Sequence, residues 1–498
     1  MIRRVLIANR GEIARRVIRT CRGMDIKTVA VFSDVDRDAP HVREADDAAG
    51  LGAAPATDSY LNIPKVIEAA RRTGADAVHP GYGFLSENPA FAEACEAAGI
   101  IFIGPPSRVL RQMGSKTGTR TAVAQAGVPV VPGVTPRSQE PQEIARAIEE
   151  VGLPAMVKAA GGGGGKGMRI VRRRDEVDGA IQSARGEAKR SFGNDALYVE
   201  RLIERPRHVE VQILVDRYGH AVHIFERDCT LQRRQQKVIE EAPGPLVTEA
   251  LRDRLTSAAL QVARTVGYIN AGTVEFLVES TGDAEARFYF LEMNTRLQVE
   301  HPITEAITGL DLVRAQILVA SGEPLPFTQR DLKLDGHAIE CRVYAEDPER
   351  LLPQAGRLLR YREPSGEGIR VDSGVVEGQQ VTVHYDPLLA KLIAHGPTRS
   401  AALSRLLDAI GSFTVLGIRH NLSFLSALLQ RPEVTSNATY TRFIEDHLTD
   451  LIPHPSAGLH AAAAAVAARV AALGPQPVDV SKATAVYDPW QTLGPVNW

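Results

Sequence analysis

Short apolar runs alternate with amphipathic stretches through residues 1–113 of the chain. Strand-like runs lie at 4–9, 27–32, 75–80 and 100–104, and helical spacing of apolar positions appears at 12–21, 63–72 and 91–98. Alternation of this kind is typical of a parallel sheet with helices packed on its faces. The pattern therefore predicts an α/β domain at the start of the chain.

The pattern changes twice farther along the chain. A second unit, from about 130 to 203, has strand-like runs at 153–160, 168–173 and 197–203 and a helix at 175–192. From about 204 to 330, longer runs at 208–216, 221–229, 271–280 and 288–294 accompany helices at 249–267 and 308–322. These longer runs indicate antiparallel strands and hence an α+β region. Strands and helices continue to about 447, and an Ala-rich helix and a Pro-containing tail follow.

Composition narrows the class of protein. The 498 residues are 44% hydrophobic and 24% charged, with a formal net charge of −2. That balance argues against nucleic acid or an anionic membrane as the main partner. No apolar run approaches the ~20 residues of a membrane span.

The cysteines at 21, 95, 229 and 341 are scattered, which favours a reduced, cytoplasmic protein. We do not expect the Arg-rich start to be a targeting segment, because residues 4–21 have the pattern of a strand, a turn and a helix.

Five consecutive glycines lie within "KAAGGGGGKGMRIV", residues 158–171. The run fails as a P-loop, because Ala160 replaces the first glycine and Gly167 the hydroxyl residue. A Rossmann loop must open a helix, whereas strand-like residues follow here. Strand, glycine loop and strand predict a hairpin whose backbone N–H groups can approach phosphate oxygens. A flexible surface loop is the alternative for this stretch alone.

Polar residues occupy every second position of "EMNTRLQVEH", residues 292–301. An extended segment would place its five polar groups on one face. These are Glu292, Asn294, Arg296, Gln298 and Glu300. We therefore predict an extended segment with one strongly polar side.

A hairpin adds a sixth polar group. Glu275 and Glu292 are symmetric about the polar turn 280–286, so the two carboxylates are predicted to face each other, about 5 Å apart at Cβ. Two buried carboxylates repel unless a cation lies between them. Together with the amide oxygen of Asn294 they form a set of hard ligands that suits Mg²⁺. The alternative is a solvated polar face with lateral salt bridges.

Several long motifs occur in an order that resembles the biotin carboxylases, the ATP-grasp components of biotin-dependent carboxylases. They are "LIANRGEIA", "HPGYGFLSEN", "GSK", "KAAGGGGGKGMRIV", "RHVEVQI", "RDCTLQRRQQKVIEEAP", "FLEMNTRLQVEHPITE" and "HAIECRVYAEDP". The resemblance covers residues 1–447. It implies a Rossmann-like N-terminal domain at 1–115, an ATP-grasp domain at 116–330 with a mobile lid at about 131–203, and a C-terminal biotin carboxylase domain at 331–447. Residues 448–498 would then be a tail that could dock another subunit.

The resemblance implies a specific reaction. Bicarbonate and ATP, with Mg²⁺ or Mn²⁺, give carboxyphosphate, which carboxylates N1 of biotin on a carrier protein. Phosphoryl transfer of this kind depends on positioning and charge neutralisation. A mobile lid would exclude water from carboxyphosphate.

The resemblance also assigns residues to ligands. For ATP, these are Lys116, Lys158, Gly163, Gly164, Gly165, Met168, Glu200, Arg201, Leu202, Ile203, His208, Gln232, Gln235 and Leu277. The resemblance assigns metal binding to Glu275, Glu292 and Asn294. It assigns bicarbonate binding to Lys237, Arg296, Gln298 and Val299. Glu300 would be the base and Arg342 would stabilise the biotin enolate, with Tyr82 and Asp386 on the biotin side. The catalytic residues implied are Lys237, Arg296, Glu300 and Arg342.

Some features depart from the most common family pattern. Gln235 stands where many members have His, and Arg201 where Lys is common. Tyr344 and the final "DPWQTLG" resemble the propionyl or branched-chain type of acyl-CoA carboxylase α-subunit. No AMKM biotin-acceptor motif occurs. We therefore expect a carrier on another chain, unless the sequence is a piece of a longer one, together with a carboxyltransferase subunit and a dimeric or hetero-oligomeric assembly.

Two alternatives remain at this point. One is a different ATP-grasp ligase, of the carbamoyl-phosphate or purine-pathway type. The other is a non-catalytic scaffold that binds nucleotide, for which degraded ligand residues would be expected. The motif around Arg342 argues against the purine type, and the single ATP-grasp unit argues against the carbamoyl-phosphate type.

Overall fold

The computed structural model describes residues 2–161, 167–279 and 286–452, without the side chains of Lys116, Thr117 and Phe192. The first elements are β1 Arg4–Ile7, α1 Gly11–Gly23, β2 Lys27–Ser33, α2 Pro40–Glu44, β3 Asp47–Gly52, α3 Ile63–Arg72, β4 Ala77–His79, α4 Pro89–Ala97, β5 Ile101–Phe102 and α5 Ser107–Met113. The five strands form a parallel sheet in the order β3-β2-β1-β4-β5. This confirms the predicted α/β domain. The sequence pattern missed β3, whose run "DAAGLG" has no β-branched residue.

The second unit is a small antiparallel sheet covered by two helices. Its elements, with the helix before it, are α6 Lys116–Gln125, β6 Gly133–Val134, α7 Pro141–Val151, β7 Ala155–Ala159, β8 Met168–Val171, α8 Val177–Phe192 and β9 Leu197–Arg201. The strand order is β6-β9-β7-β8. β7 and β8 pair antiparallel with Lys158 opposite Met168, which confirms the predicted hairpin around the glycine run. A Cβ on Gly133 would lie 2.5 Å from the Val199 carbonyl oxygen, so glycine is what lets β6 approach β9.

The remaining elements complete a large sheet and its surroundings. They are β10 Arg207–Val215, β11 Ala221–Arg233, β12 Gln236–Ala242, α9 Glu249–Val266, β13 Asn270–Val278, β14 Phe288–Asn294, α10 His301–Thr308, α11 Leu312–Ala320, β15 His337–Tyr344, β16 Gly356–Arg357, β17 Arg360–Arg362, β18 Ile369–Ser373, β19 Gln380–Val381, β20 Leu388–Gly396, α12 Arg399–Ser412, β21 Thr414–Leu416, α13 Leu422–Leu429, α14 Pro432–Thr435, α15 Phe443–Asp446 and α16 Leu448–Leu451.

Eight of these strands form one antiparallel sheet in the order β14-β13-β10-β11-β12-β15-β20-β18. The sheet is continuous across residue 331, because β12 pairs with β15. β16 pairs with β19, and β17 with β21, in two further two-stranded sheets. Helix α9 packs its apolar residues on β10 and β13, and α10 packs Ile303 and Ile307 against β15 and β20. The middle of the sheet is therefore enclosed, and polar groups placed there are shielded from water.

The predicted tail lies mostly outside the described residues, which end at 452. No described helix combines the length and the apolar composition that crossing a bilayer requires. The four cysteines are free and buried.

Candidate functional site

The hairpin of β13 and β14 brings the predicted carboxylates together. Glu275 pairs directly with Glu292, and Thr273 with Asn294, which confirms the predicted register. The pairing shifts just after Glu275, so that Phe276 lies opposite Phe290. This irregularity lets polar residues cluster at one end of the hairpin while aromatic residues fill the core at the other.

The prediction of an extended segment through residue 300 is wrong beyond Asn294. β14 ends at Asn294, and Glu300 has φ −83° and ψ 10° at the start of α10. Pro302 lies in the first turn of that helix, a position where proline is well tolerated. The chain therefore curls, and the polar side chains converge by folding around one centre instead of lying along a strand.

Lys237 is that centre. Its ammonium nitrogen lies 2.5 Å from Glu210 Oε2, 2.9 Å from Glu275 Oε1 and 2.6 Å from Glu300 Oε1. Burial alone would lower the pKa of Lys237, but the three carboxylates raise it well above its usual value. Lys237 is therefore a permanent cation that allows three carboxylates to share one buried space.

Glu300 is fully buried and has a second cationic partner. Arg342 Nη2 lies 3.0 Å from Glu300 Oε2, and the same guanidinium binds Glu240 Oε1 at 2.6 Å. Burial would raise the pKa of Glu300, yet Lys237 and Arg342 hold it well below its usual value. Glu300 is thus an ionised carboxylate held between two cations.

Arg296 links the hairpin to the N-terminal domain. Its guanidinium donates to Gln298 Oε1 at 2.9 Å and to Asn294 Oδ1 at 3.1 Å. It also donates to Glu87 Oε2 at 3.1 Å, and the Thr295 backbone N–H donates to the other oxygen of Glu87. These contacts fix Arg296 with its cationic end in the same polar cluster, where it can contribute to a cradle for a small anion.

The residues assigned to the metal fit a hard divalent cation. Glu275 and Glu292 supply carboxylate oxygens, and Asn294 supplies an amide. Glu275 already accepts from Asn294 Nδ2 at 2.8 Å and lies 3.0 Å from His208 Nε2. Burial would raise the pKa of Glu275, but Lys237 and His208 hold it far below its usual range. The carboxylate is thus ionised and able to act as a ligand.

Lys158 meets a carboxylate on the neighbouring strand. Its ammonium lies 2.5 Å from Glu200 Oε2, while Arg120 Nη1 donates to Glu200 Oε1 at 2.7 Å. Burial would lower the pKa of Lys158, but Glu200 raises it. Lys158 and Arg120 are two cations that share one carboxylate, so this group of three brings net positive charge to the side of the cavity formed by the β7–β9 sheet.

A single cavity of about 1280 Å³ joins these groups. The predicted residues that line it are Lys158, Met168, Glu200, Arg201, Leu202, Ile203, His208, Gln232, Gln235, Lys237, Glu275, Leu277, Glu292, Asn294, Arg296, Gln298, Val299, Arg342 and Asp386. Two predicted residues lie behind the wall. Glu300 is fully buried, and the Tyr82 hydroxyl donates to Glu12.

The predictions for Gly163, Gly164 and Gly165 concern residues outside the described part of the chain, and that for Lys116 concerns a side chain outside it. Among described residues, the sequence reasoning missed Glu210, Arg227, Glu240, Glu87 and Arg120. Glu210 carried a signal in the pattern itself, because it follows His208 at period two on the same strand. Glu87, Arg227 and Glu240 lie within motifs quoted for the resemblance, but their contacts became evident only in three dimensions, as did that of Arg120.

Comparison with known proteins identifies the family. Residues 1–110 match a model described as biotin carboxylase, N-terminal domain, and residues 340–446 match the biotin carboxylase C-terminal domain. Residues 115–328 match the carbamoyl-phosphate synthase L chain, ATP binding domain. A biotin carboxylase from Halalkalibacterium halodurans is 48% identical over 448 residues, which are 90% of this chain and 98% of that protein. The chain belongs to the biotin carboxylase family.

Other family members extend the comparison. The methylcrotonoyl-CoA carboxylase subunit alpha of Mus musculus is 49% identical over 457 residues, but the match spans 63% of its length and 91% of this chain. The biotin carboxylase domain of Hydrogenobacter thermophilus 2-oxoglutarate carboxylase, solved as a dimer with MgADP, ADP and bicarbonate, has a TM-score of 0.87 and 41% identity. That likeness covers 91% of this chain and all of that one, and confirms the predicted ATP-grasp fold.

Proposed function

We propose that this chain catalyses the ATP-dependent carboxylation of biotin with bicarbonate, the first half-reaction of an acyl-CoA carboxylase. A bicarbonate oxygen attacks the γ-phosphorus of ATP, releasing ADP and forming carboxyphosphate. Carboxyphosphate then yields phosphate and a carboxyl group that bonds to N1 of biotin, which gives up its proton. Mg²⁺ held by Glu275, Glu292 and Asn294 would neutralise phosphate charge.

The single observation that carries this proposal is the cluster around Lys237. Glu300 is an ionised, fully buried carboxylate flanked by Lys237 and Arg342, and those two cations line the cavity together with Arg296. A base beside cations suits deprotonation of a bound anion, because the cations hold the substrate while the carboxylate takes its proton. We propose that Lys237, Arg296, Gln298 and Val299 hold bicarbonate.

The remaining roles proposed here are those that the resemblance to the biotin carboxylases implies. The ATP phosphates would be contacted by Lys116, Lys158 and His208. Residues 131–203 would act as the lid, and Gly163 to Gly165 would close over the phosphates. Arg342 would stabilise the biotin enolate, and Tyr82 and Asp386 would complete the biotin side. The domain limits proposed for these roles are 1–115, 116–330 and 331–447.

The partners proposed are a biotinylated carrier and a carboxyltransferase subunit. Relatives named methylcrotonoyl-CoA and propionyl-CoA carboxylase α-subunits support this assignment. The acyl-CoA is left open, since the proposed half-reaction does not involve it.

Oxygen-18 transfer tests the reaction directly. With ¹⁸O-labelled bicarbonate, ATP and free biotin, the proposal predicts that the inorganic phosphate released carries one labelled oxygen, because bicarbonate oxygen bridges carbon and phosphorus in carboxyphosphate. Unlabelled phosphate, formed at a rate that does not depend on biotin, would show simple ATP hydrolysis and refute the proposal.

A further inference from the structure

Lys391 is a fully buried lysine with no role in the reaction described above. It lies in β20, directly opposite Arg342 of β15 on one side and Asp372 of β18 on the other. Cross-strand pairing disfavours a lysine opposite Arg342 and favours one opposite Asp372, so pairing within the sheet does not by itself account for the residue. The position therefore calls for an explanation in terms of what the ammonium group holds.

The ammonium of Lys391 reaches two groups next to the candidate site. It donates to the backbone carbonyl of Val299 at 2.9 Å and lies 3.0 Å from Glu12 Oε2. Asp372 is more distant, at 3.9 Å, and is already bound by Arg370 at 2.6 Å. The ammonium group therefore donates a hydrogen bond to Val299 and forms an ion pair with Glu12.

Each of these contacts leads to a different side of the site. Val299, which lies between Gln298 and Glu300 in the chain, lines the cavity. Glu12 accepts, through its other oxygen, the hydroxyl hydrogen of Tyr82. Lys391 thus contacts Val299 directly on the proposed bicarbonate side. It reaches Tyr82, on the proposed biotin side, through Glu12.

The start of helix α1 is built to bring Glu12 to this place. Glu12 lies in the first turn of α1, and its side chain is only 3% exposed. A Cβ on Gly374 would lie 2.8 Å from the Glu12 backbone nitrogen, so glycine there permits the close approach of α1. The contact between the N-terminal domain and the β18–β20 edge of the large sheet is therefore specific at this point.

We propose that Lys391 is a positioning residue that holds the Val299 backbone and, through Glu12, the Tyr82 hydroxyl, and so keeps the bicarbonate and biotin sides in register. The inference rests on the proposed function, which names those two sides. The ammonium group contacts Val299, Glu12 and Asp372, none of which is proposed to bind ATP. We therefore expect its role to be confined to bicarbonate and biotin.

Steady-state kinetics of Lys391→Met test this role. We expect KM for bicarbonate to rise at least tenfold and KM for free biotin to rise as well, while Kd for MgATP, measured by calorimetry, stays within twofold. A merely structural lysine would lower the unfolding midpoint without this selective change. Folded Lys391→Met with unchanged KM values for bicarbonate and biotin would overturn the inference.

Two further variants make the test decisive. Lys391→Met combined with Glu12→Gln removes both buried charges, so it carries the test if the single variant does not fold, and the rise in KM for bicarbonate should persist. Arg252→Met is the matched control, because it breaks the buried pair with Glu226 away from the cavity. It should lower stability and leave all KM values unchanged. A wild-type protein without biotin-dependent activity would refute the proposed function, whereas active wild type with unchanged KM in the variants would refute only this inference.

Discussion

Replacing Lys237 with methionine removes the cation that three carboxylates share. After the change Glu210 still has Arg227, whose Nε lies 2.6 Å from Glu210 Oε1, and Glu300 still has Arg342 at 3.0 Å. Glu275 still has His208 at 3.0 Å. Each carboxylate therefore keeps one partner, but the cluster gains one uncompensated negative charge.

The expected loss of stability follows from this one uncompensated charge. Removing one partner of a buried ion pair typically destabilises a protein by about 3–5 kcal/mol. The three contacts do not each contribute this amount, because a single proton taken up by one carboxylate restores the charge balance. Burial already raises the pKa of Glu210 despite Arg227 and Lys237, so we expect Glu210 to take up that proton. The loss is therefore expected to be about 3–5 kcal/mol at pH 8.

The loss should depend on pH in a defined direction. In the wild type Glu275 and Glu300 have lowered pKa values, so their stabilisation is complete above the unfolded value of about 4.3 and is lost only as the pH falls through the lower folded value. In the variant the pKa of Glu210, which burial already raises in the wild type, rises further because Lys237 no longer lowers it, and stability falls as the pH rises through that value. Each pKa unit by which the folded value exceeds the unfolded value lowers the free energy of unfolding by about 1.4 kcal/mol at high pH. The difference between the two proteins should therefore shrink between pH 8 and pH 5.5.

Urea unfolding of both proteins across this range, in buffer containing EDTA, measures the difference. Lys27→Met is the control, since Lys27 pairs with Asp46 at the surface, with side chains 65% and 40% exposed. That change should cost less than about 1 kcal/mol and show little pH dependence. A loss for Lys237→Met that is equally small, or that is the same at every pH, would refute the description of Lys237 as the shared counter-ion.

Three further predictions concern single residues. Glu292→Gln should abolish ATP turnover with the circular dichroism spectrum unchanged, because it removes a metal ligand; wild-type turnover at millimolar Mg²⁺ would contradict the metal assignment. Glu300→Gln should lower bicarbonate-dependent ADP release by about 10²-fold or more, with MgATP affinity unchanged; a loss of MgATP affinity instead would make Glu300 a nucleotide ligand. Gly133→Ala should lower the unfolding midpoint, because its Cβ would meet the Val199 carbonyl oxygen at 2.5 Å; an unchanged midpoint would show that β6 can move away at no cost.

Local pattern was enough to predict the hairpins. Glu275 and Glu292 could be paired from the sequence because apolar residues flank both and a polar turn fixes the symmetry. The β7–β8 hairpin was predictable for a similar reason, since a glycine loop separates two short apolar runs. In both cases the information lies within about 25 residues of sequence.

Long-range packing was not predictable in the same way. Lys237 is separated from Glu210, Glu275 and Glu300 by 27, 38 and 63 residues, and their meeting depends on the order of strands in the large sheet. No periodicity encodes that order. The error at residues 295–300 has a related cause, because the period-two pattern predicts a strand, whereas β14 ends at Asn294 and helix α10 begins at His301 with Pro302 in its first turn. The resemblance supplied the site residues that physical pattern alone left open.

ADP release from the purified chain with ATP, Mg²⁺, bicarbonate and free biotin measures the proposed carboxylation of biotin. We expect a slow rate without biotin, a severalfold rise when biotin and bicarbonate are both present, and a larger rise with a separate biotinylated carrier protein, whose tethered biotin docks at a higher effective concentration. Omitting bicarbonate should abolish the rise. ADP release that responds to neither biotin nor bicarbonate would contradict the proposed function.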